Sequence, residues 1–329
     1  MKKIWLWLAL VVAIPASAQA KTDRWGVAEI YPTVGGGREW FLPDDADLNS
    51  NREFVPETTD IKIVQKGTPT VYHTDGDLSY GGIRLDVHSP IGKAWWRDVE
   101  MTAYYRYTGT YGENPHWEMQ VRGERHEDGQ VVKGKVNDGI SPPRGTATWP
   151  WWNYFKKTVL LNAHALGTAY HGNVYVQPDD GANALFEKEL SHDSGYADQR
   201  GRRWVDNLAQ ENNWFGLKFV VRNNRARTAV KMELWLDRNA DGRWENIDEY
   251  TDQNGIRKDW KASALDGTTQ RPYYTAYNRL ITWAGPWVTF RADNLNLDFK
   301  ELSVREVGPF DAVNFKKKKK APGSGAAGA

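Results

Sequence analysis

The chain has 329 residues, of which 40% are hydrophobic and 26% charged, a globular composition with ample material for a core. Lys and Arg total 43 against 42 Asp and Glu, a balance that argues against a general nucleic-acid binder. The absence of cysteine excludes disulfide frameworks, thiolate metal sites and cysteine nucleophiles, whereas 17 Trp, 15 Tyr and 10 Phe exceed what one core needs and predict rings on which a ligand could stack.

Residues 1–20 read as a secretory signal peptide: Lys2 and Lys3, an apolar run from Ile4 to Ile14, then the small-residue sites Ala16-Ser17-Ala18 and Ala18-Gln19-Ala20. The run is too short to span a bilayer comfortably, and no other stretch approaches spanning length, so a secreted or periplasmic protein without a membrane span is expected. At the other end, residues 311–329 hold the run Lys316 to Lys320 and the low-complexity stretch APGSGAAGA. Setting aside the leader and that run leaves a mildly acidic body, expected to be a single domain over 21–310.

Within the body, apolar and polar residues alternate with period 2. Ile83, Leu85 and Val87 form one apolar face, and Trp117, Met119 and Val121 another. Further faces are Phe215, Leu217, Phe219 and Val221, then Val230, Met232, Leu234 and Leu236, then Val288 and Phe290 ahead of a strand from Leu297 to Glu306. Asp75-Gly76, Asp128-Gly129, Asp180-Gly181 and Asp241-Gly242 punctuate these runs as turns. Many strands with one apolar side predict an all-β antiparallel sandwich, a jelly roll of concanavalin A-like type with one concave, ligand-binding sheet.

Period 2 across His116 to His126 would place His116, Glu118, Gln120, Arg122, Glu124 and His126 on one side of a strand, with Arg125 beside them. A face made only of ionisable and amide groups is a candidate ligand surface. Downstream, Tyr170 and His171 precede the strand Asn173 to Gln177, and Lys188, His192 and Tyr196 follow within a short stretch. Lys188 and His192 share parity with Phe186 and Leu190, so the lysine is expected to snorkel out or face a groove. Arg, His, Tyr and Lys without a matched carboxylate pair suit β-elimination on uronic-acid polymers. In that chemistry a cation neutralises the uronate carboxylate, a His or Tyr removes the neighbouring proton, and a tyrosine returns one to the leaving oxygen. The expected catalytic set is Arg122, His126, Tyr170, His171, Lys188 and His192, with His116, Glu118, Gln120, Glu124, Arg125 and Tyr196 binding substrate.

Arg122-Gly-Glu-Arg125 resembles the arginine-bearing strand of jelly-roll alginate and glucuronan lyases. The runs Trp214 to Asn223 and Lys231 to Asp237 are similar to sheets of that concanavalin-like group. The resemblance implies a polysaccharide lyase acting on an anionic polymer, with Arg122 as the carboxylate binder. The family's late Tyr/Lys/Tyr/Gln alternation is not matched by Asp298 to Glu306. Two other readings of the same fold stand beside it: a non-catalytic glycan-binding protein and a glycoside hydrolase. For hydrolysis, Glu118 and Glu124 lie six residues apart on a strand, about 20 Å and too far for one bond.

A separate loop has oxygen ligands at Asp237, Asn239, Asp241, Glu245 and Asp248, with Gly242 at the sixth position. That matches a calcium-loop template apart from Asp in the last place, so a structural calcium ion is the one cofactor expected. Trp95-Trp96, Trp149, Trp151-Trp152, Tyr273-Tyr274, Tyr277, Trp283 and Trp287 fall in or beside turns and are candidates for stacking on sugar rings.

Overall fold

The computed structural model describes residues 21–48, 54–56, 61–75, 83–88, 96–123, 169–179, 181–189, 199–253, 280–282, 284–285 and 287–310. In chain order the strands are β1 (Glu39–Phe41), β2 (Phe54–Pro56), β3 (Lys62–Gln65), β4 (Val71–Thr74), β5 (Arg84–His88), β6 (Val99–Thr110), β7 (His116–Gly123) and β8 (Ala169–Asp179). They continue with β9 (Ala182–Glu189), β10 (Arg200–Arg203), β11 (Phe215–Asn223), β12 (Ala229–Asp237), β13 (Glu245–Gln253), β14 (Trp287–Asp293) and β15 (Leu295–Glu306). No helix among the described residues is long and apolar enough to cross a membrane.

The strands form two sheets, all of whose strand pairings are antiparallel. The first has the order β13-β12-β11-β6-β15-β4-β3, with β1 also on β15; the second has the order β10-β9-β8-β7-β14-β5-β2. The apolar faces read from the alternation meet between them: Trp117, Met119, Val121, Val174 and Phe186 from the second sheet pack with Met101, Tyr105, Phe219, Leu234 and Phe299 from the first. This is the antiparallel sandwich expected from the sequence. Gly242 and Gly181 take φ of +83° and +79° at the β12–β13 and β8–β9 turns, a backbone region where a side chain is disfavoured.

The two sheets differ in their outer faces. At Gly172 of β8 a Cβ would lie 2.6 Å from a Phe219 ring carbon, so the glycine lets the sheets close tightly and turns His171 and Asn173 outward. The first sheet's outer face, meanwhile, carries the segment 21–38. Glu100 of β6 accepts from the Ile30 and Tyr31 amides and pairs with Lys218 (2.9 Å) and Arg305 (2.6 Å). Arg305 also reaches Glu29 at 3.1 Å, and the Tyr31 hydroxyl donates to Glu233 at 3.0 Å. Glu100 and Arg305 are fully buried beneath that strap.

Candidate functional site

The polar stripe of β7 holds for His116, Glu118 and Gln120 and then breaks. Between Gln120 and Gly123 the register on β14 slips, with Gln120 opposite Thr289 and Gly123 opposite Trp287. The extra residue makes a bulge in which Arg122 takes φ of +63°. Its side chain therefore turns to the inner side, where its guanidinium lies 5.7 Å from the Tyr170 ring centroid. Strict period 2 cannot anticipate that reversal, so Arg122 does not share the face of Glu118.

On the outer face, neighbouring strands bring Tyr175, Asn173 and His171 of β8 opposite His116, Glu118 and Gln120 of β7. From the other side, Asp293, Arg291 and Thr289 of β14 meet the same three residues. Glu118 is the hub. It pairs with His171 Nδ1 at 2.8 Å, Arg291 at 3.1 Å and His116 Nε2 at 3.5 Å, and the Gln120 amide donates to it. His171 Nε2 lies 3.2 Å from Glu189. Arg291 also pairs with Asp293, and His116 stacks on Tyr175 with ring centroids 4.7 Å apart. His171, Gln120 and Asn173 are fully buried, and Glu118 nearly so.

Charge on this face is fixed. Burial alone would raise Glu118, yet the Arg291 guanidinium and the His171 imidazolium hold it well below the usual carboxylate range. Burial works against an imidazolium at His171, but Glu118 and then Glu189 outweigh it and lift its pKa to about 9. His116 moves up for the same reason, with Glu118 prevailing over burial. An imidazolium with both nitrogens held against carboxylates has no lone pair with which to take a proton, unlike the base expected from the sequence. The neutral groups are what remain. Among the described residues, neither amide atom of Asn173 and not the carbonyl oxygen of Gln120 has a hydrogen-bond partner.

Tyr170 and Lys188 point the other way from His171, into the layer between the sheets. Both donate to Asp252 Oδ2 of β13, each at 2.7 Å, and the Ile281 amide donates to the Tyr170 hydroxyl at 3.1 Å. Arg122 closes the same end of the sandwich: it donates to the Arg97 carbonyl at 2.9 Å, to the Ile281 carbonyl, and to Asp98 at 3.2 Å. Burial lowers Arg122 to about 10 against the opposing pull of Asp98. Burial likewise lowers Lys188 while Asp252 pulls it up. The lysine neither snorkels nor faces a groove: it is fully buried and paired. The structure thus divides the expected catalytic set into an outward His171 and an inward Arg122, Tyr170 and Lys188. Glu124, Arg125, His126, His192 and Tyr196 lie outside the described residues.

The expected calcium loop is a hydrogen-bonded turn. Asp237 accepts from the amides of Asp241 (3.0 Å) and Gly242 (2.8 Å) and from the Tyr104 hydroxyl (3.1 Å). Asp241 accepts from the Arg243 amide, Glu245 pairs with Arg238 at 3.1 Å, and Asn239 is exposed. Asp248 lies along β13 beside Arg203, at 3.5 Å. Among the described residues, no group of three or more His, Asp or Glu side chains is arranged to hold a metal ion. Asp237, Asp241 and Glu245 are thus engaged with protein groups. Of the turn aromatics, Trp96 is buried in the core and Trp287 opens β14; the others lie outside the described residues.

Asn173, Glu189, Arg291, Asp293 and Tyr175 were not singled out from the sequence as site residues. Their signal lies in the odd positions of β8, β9 and β14, opposite the apolar Val174, Phe186, Phe290 and Ala292, but which strands are neighbours is not legible there.

No protein-family profile matches the sequence, and no curated protein matches it. Among solved structures, the chain is similar to a Bacillus subtilis protein described as of unknown function with a galectin-like fold, at 10% identity. That match covers 85% of this chain and 100% of the other, with a TM-score of 0.38. The exoplasmic/lumenal domain of VIP36, in a form bound to Ca2+ and Man3GlcNAc, is similar at 8% identity over 83% of this chain and 90% of its own, with a TM-score of 0.42. Peanut lectin, solved with a peptide, is similar at 10% identity over 81% and 97%, with a TM-score of 0.36. Likeness at this level carries nothing about ligand, and the fold rests on the chain's own strand order.

Proposed function

We propose that this chain is a glycan-binding sandwich whose ligand lies on the outer face of the second sheet, over Glu118, Gln120, His171 and Asn173. The observation that carries the reading is Asn173. It is fully buried, sits opposite the Glu118 hub, and has no partner for either amide atom among the described residues. An unpaired buried amide costs about 1–3 kcal/mol, which a ligand offering hydroxyls would offset. Asn and Gln amides held rigidly beside such a hub are suited to reading sugar hydroxyls, because each hydroxyl both donates and accepts. The leader expected at 1–20 agrees with a ligand met outside the cytoplasm.

Elimination on a uronate polymer is the alternative. It needs a cation for the carboxylate and an available base on one face, whereas Arg122, Tyr170 and Lys188 are turned away from the face of His171. The discriminating experiment is electrophoresis of the protein through gels containing individual glycans, with ultraviolet absorbance of unsaturated uronate followed in parallel. Retardation by at least one glycan without a rise in absorbance is expected. Asn173→Ala should weaken the retardation about tenfold while keeping or raising the melting temperature, since it removes an unsatisfied group. A rise in absorbance would establish the lyase, and retardation unchanged in Asn173→Ala would move the site elsewhere.

A further inference from the structure

We infer that the sugar held at the centre of this face is uncharged: a neutral pyranose presenting neighbouring hydroxyls, not a uronate. The inference rests on the glycan-binding reading and goes beyond it by naming the ligand's charge. The three cationic side chains described around Glu118 are each committed to a carboxylate. His171 lies against Glu118 (2.8 Å) and Glu189 (3.2 Å), and Arg291 against Glu118 (3.1 Å) and Asp293. His116 lies between Glu118 (3.5 Å) and Asp293 (3.8 Å). Asp86, which accepts from Thr289, adds a further buried acid to the same row of strands.

A uronate entering here would have to give up its water without gaining an uncommitted cation. It could gain Arg291 or His171 only by displacing Glu118 and leaving that buried carboxylate short of partners. The uncommitted groups are of another kind. Asn173 Nδ2 is a neutral donor, while Asn173 Oδ1 and Gln120 Oε1 are neutral acceptors. The Gln120 oxygen is fixed in that role because its amide nitrogen donates to Glu118. Asn173 and Gln120 are diagonal neighbours across the β7–β8 ladder, Glu118 standing opposite the one and His171 opposite the other. Diagonal cross-strand positions lie about 7–8 Å apart at their backbones, within joint reach of adjacent hydroxyls on one ring. Two acceptors and one donor with no net charge complement hydroxyls and offer a carboxylate a single donor.

The test compares the wild-type protein and Asn173→Ala on neutral polymers (β-glucan, mannan, galactan) and on uronate polymers (alginate, glucuronan, pectate), each at low and high salt. Binding to at least one neutral polymer is expected, with affinity little changed by salt and about tenfold lower in Asn173→Ala, the worth of one or two hydrogen bonds. The uronate polymers should not bind. Binding of a uronate polymer that weakens with salt and with Asn173→Ala would overturn the neutral ligand but keep the site, since only the charge assignment would have failed. Binding of any polymer indifferent to Asn173→Ala, or of none, would remove the site and this inference with it.

Discussion

Replacing Lys188 by Met separates a structural lysine from a catalytic one. Its ammonium and the Tyr170 hydroxyl share one oxygen of Asp252, each at 2.7 Å, in a layer from which water is excluded. Lys188→Met leaves the Asp252 carboxylate with only the tyrosine as a described side-chain donor. Breaking a buried pair from one side costs about 3–5 kcal/mol, because the remaining charge is neither hydrated nor compensated. In a protein of this size that is a fall of roughly 5–8 °C in melting temperature. Lys188→Met with Asp252→Leu removes both charges and should recover most of the loss, so the two substitutions are strongly non-additive. Unfolding followed by circular dichroism gives the stabilities, and gel retardation gives binding on the same samples. Both variants should bind as the wild type does below their melting temperatures, because the pair lies on the opposite side of β8 and β9 from Asn173. If Lys188→Met melts with the wild type and loses activity or binding, the lysine acts on a ligand and the clamp is refuted.

Two further outcomes follow from the interior. Gly172→Ala should destabilise by about 1–3 kcal/mol, since its Cβ would approach Phe219 to 2.6 Å and Leu234 to 3.0 Å; an unchanged unfolding midpoint would mean the sheets are not closely apposed there. Asp248 is raised to about 6, chiefly by burial, so folding favours its protonated form. Its contribution to stability is fully present below the unfolded value near 3.8 and is lost as pH rises through about 6. Asp248→Asn should therefore raise the melting temperature at pH 8 and leave it unchanged near pH 3; equal shifts at both would show that its ionisation is not coupled to folding.

The alternation of apolar residues was enough to read the sandwich, because each strand needs only one buried face and period 2 is local. It read β5, β11 and β12 directly, and it placed Lys188 on the apolar side. What escaped it was non-local. The bulge at Arg122 is a property of β7 against β14, more than 160 residues later, and nothing in Val121-Arg122-Gly123 alone fixes it. Taken as a continuous strand, Arg122 falls beside Glu118; in the paired sheet it falls beside Tyr170. Tyr170 and His171, both in the expected catalytic set, are adjacent in sequence, and adjacency in a strand is what sends them to opposite faces. The calcium template and the turn at Asp241-Gly242 share one spacing, because an Asp that caps backbone amides and an Asp that holds a cation occupy the same positions.

Strand order also constrains how the molecule can be made. β14 lies between β7 and β5, and β15 lies between β6 and both β4 and β1, so the last two strands join parts of each sheet that have no other ladder between them. Until residues 287–306 have emerged, every earlier strand of either sheet belongs to a fragment with an open edge. Such edges pair with those of other chains when left waiting. Folding is thus a single late event with large loops to close, slow by the measure of contact order. A chain lacking its final strand would not be a slightly weaker sandwich but one whose first sheet is split into two open-edged fragments. The same arrangement keeps both sheets incomplete until residues 287–306 have been made.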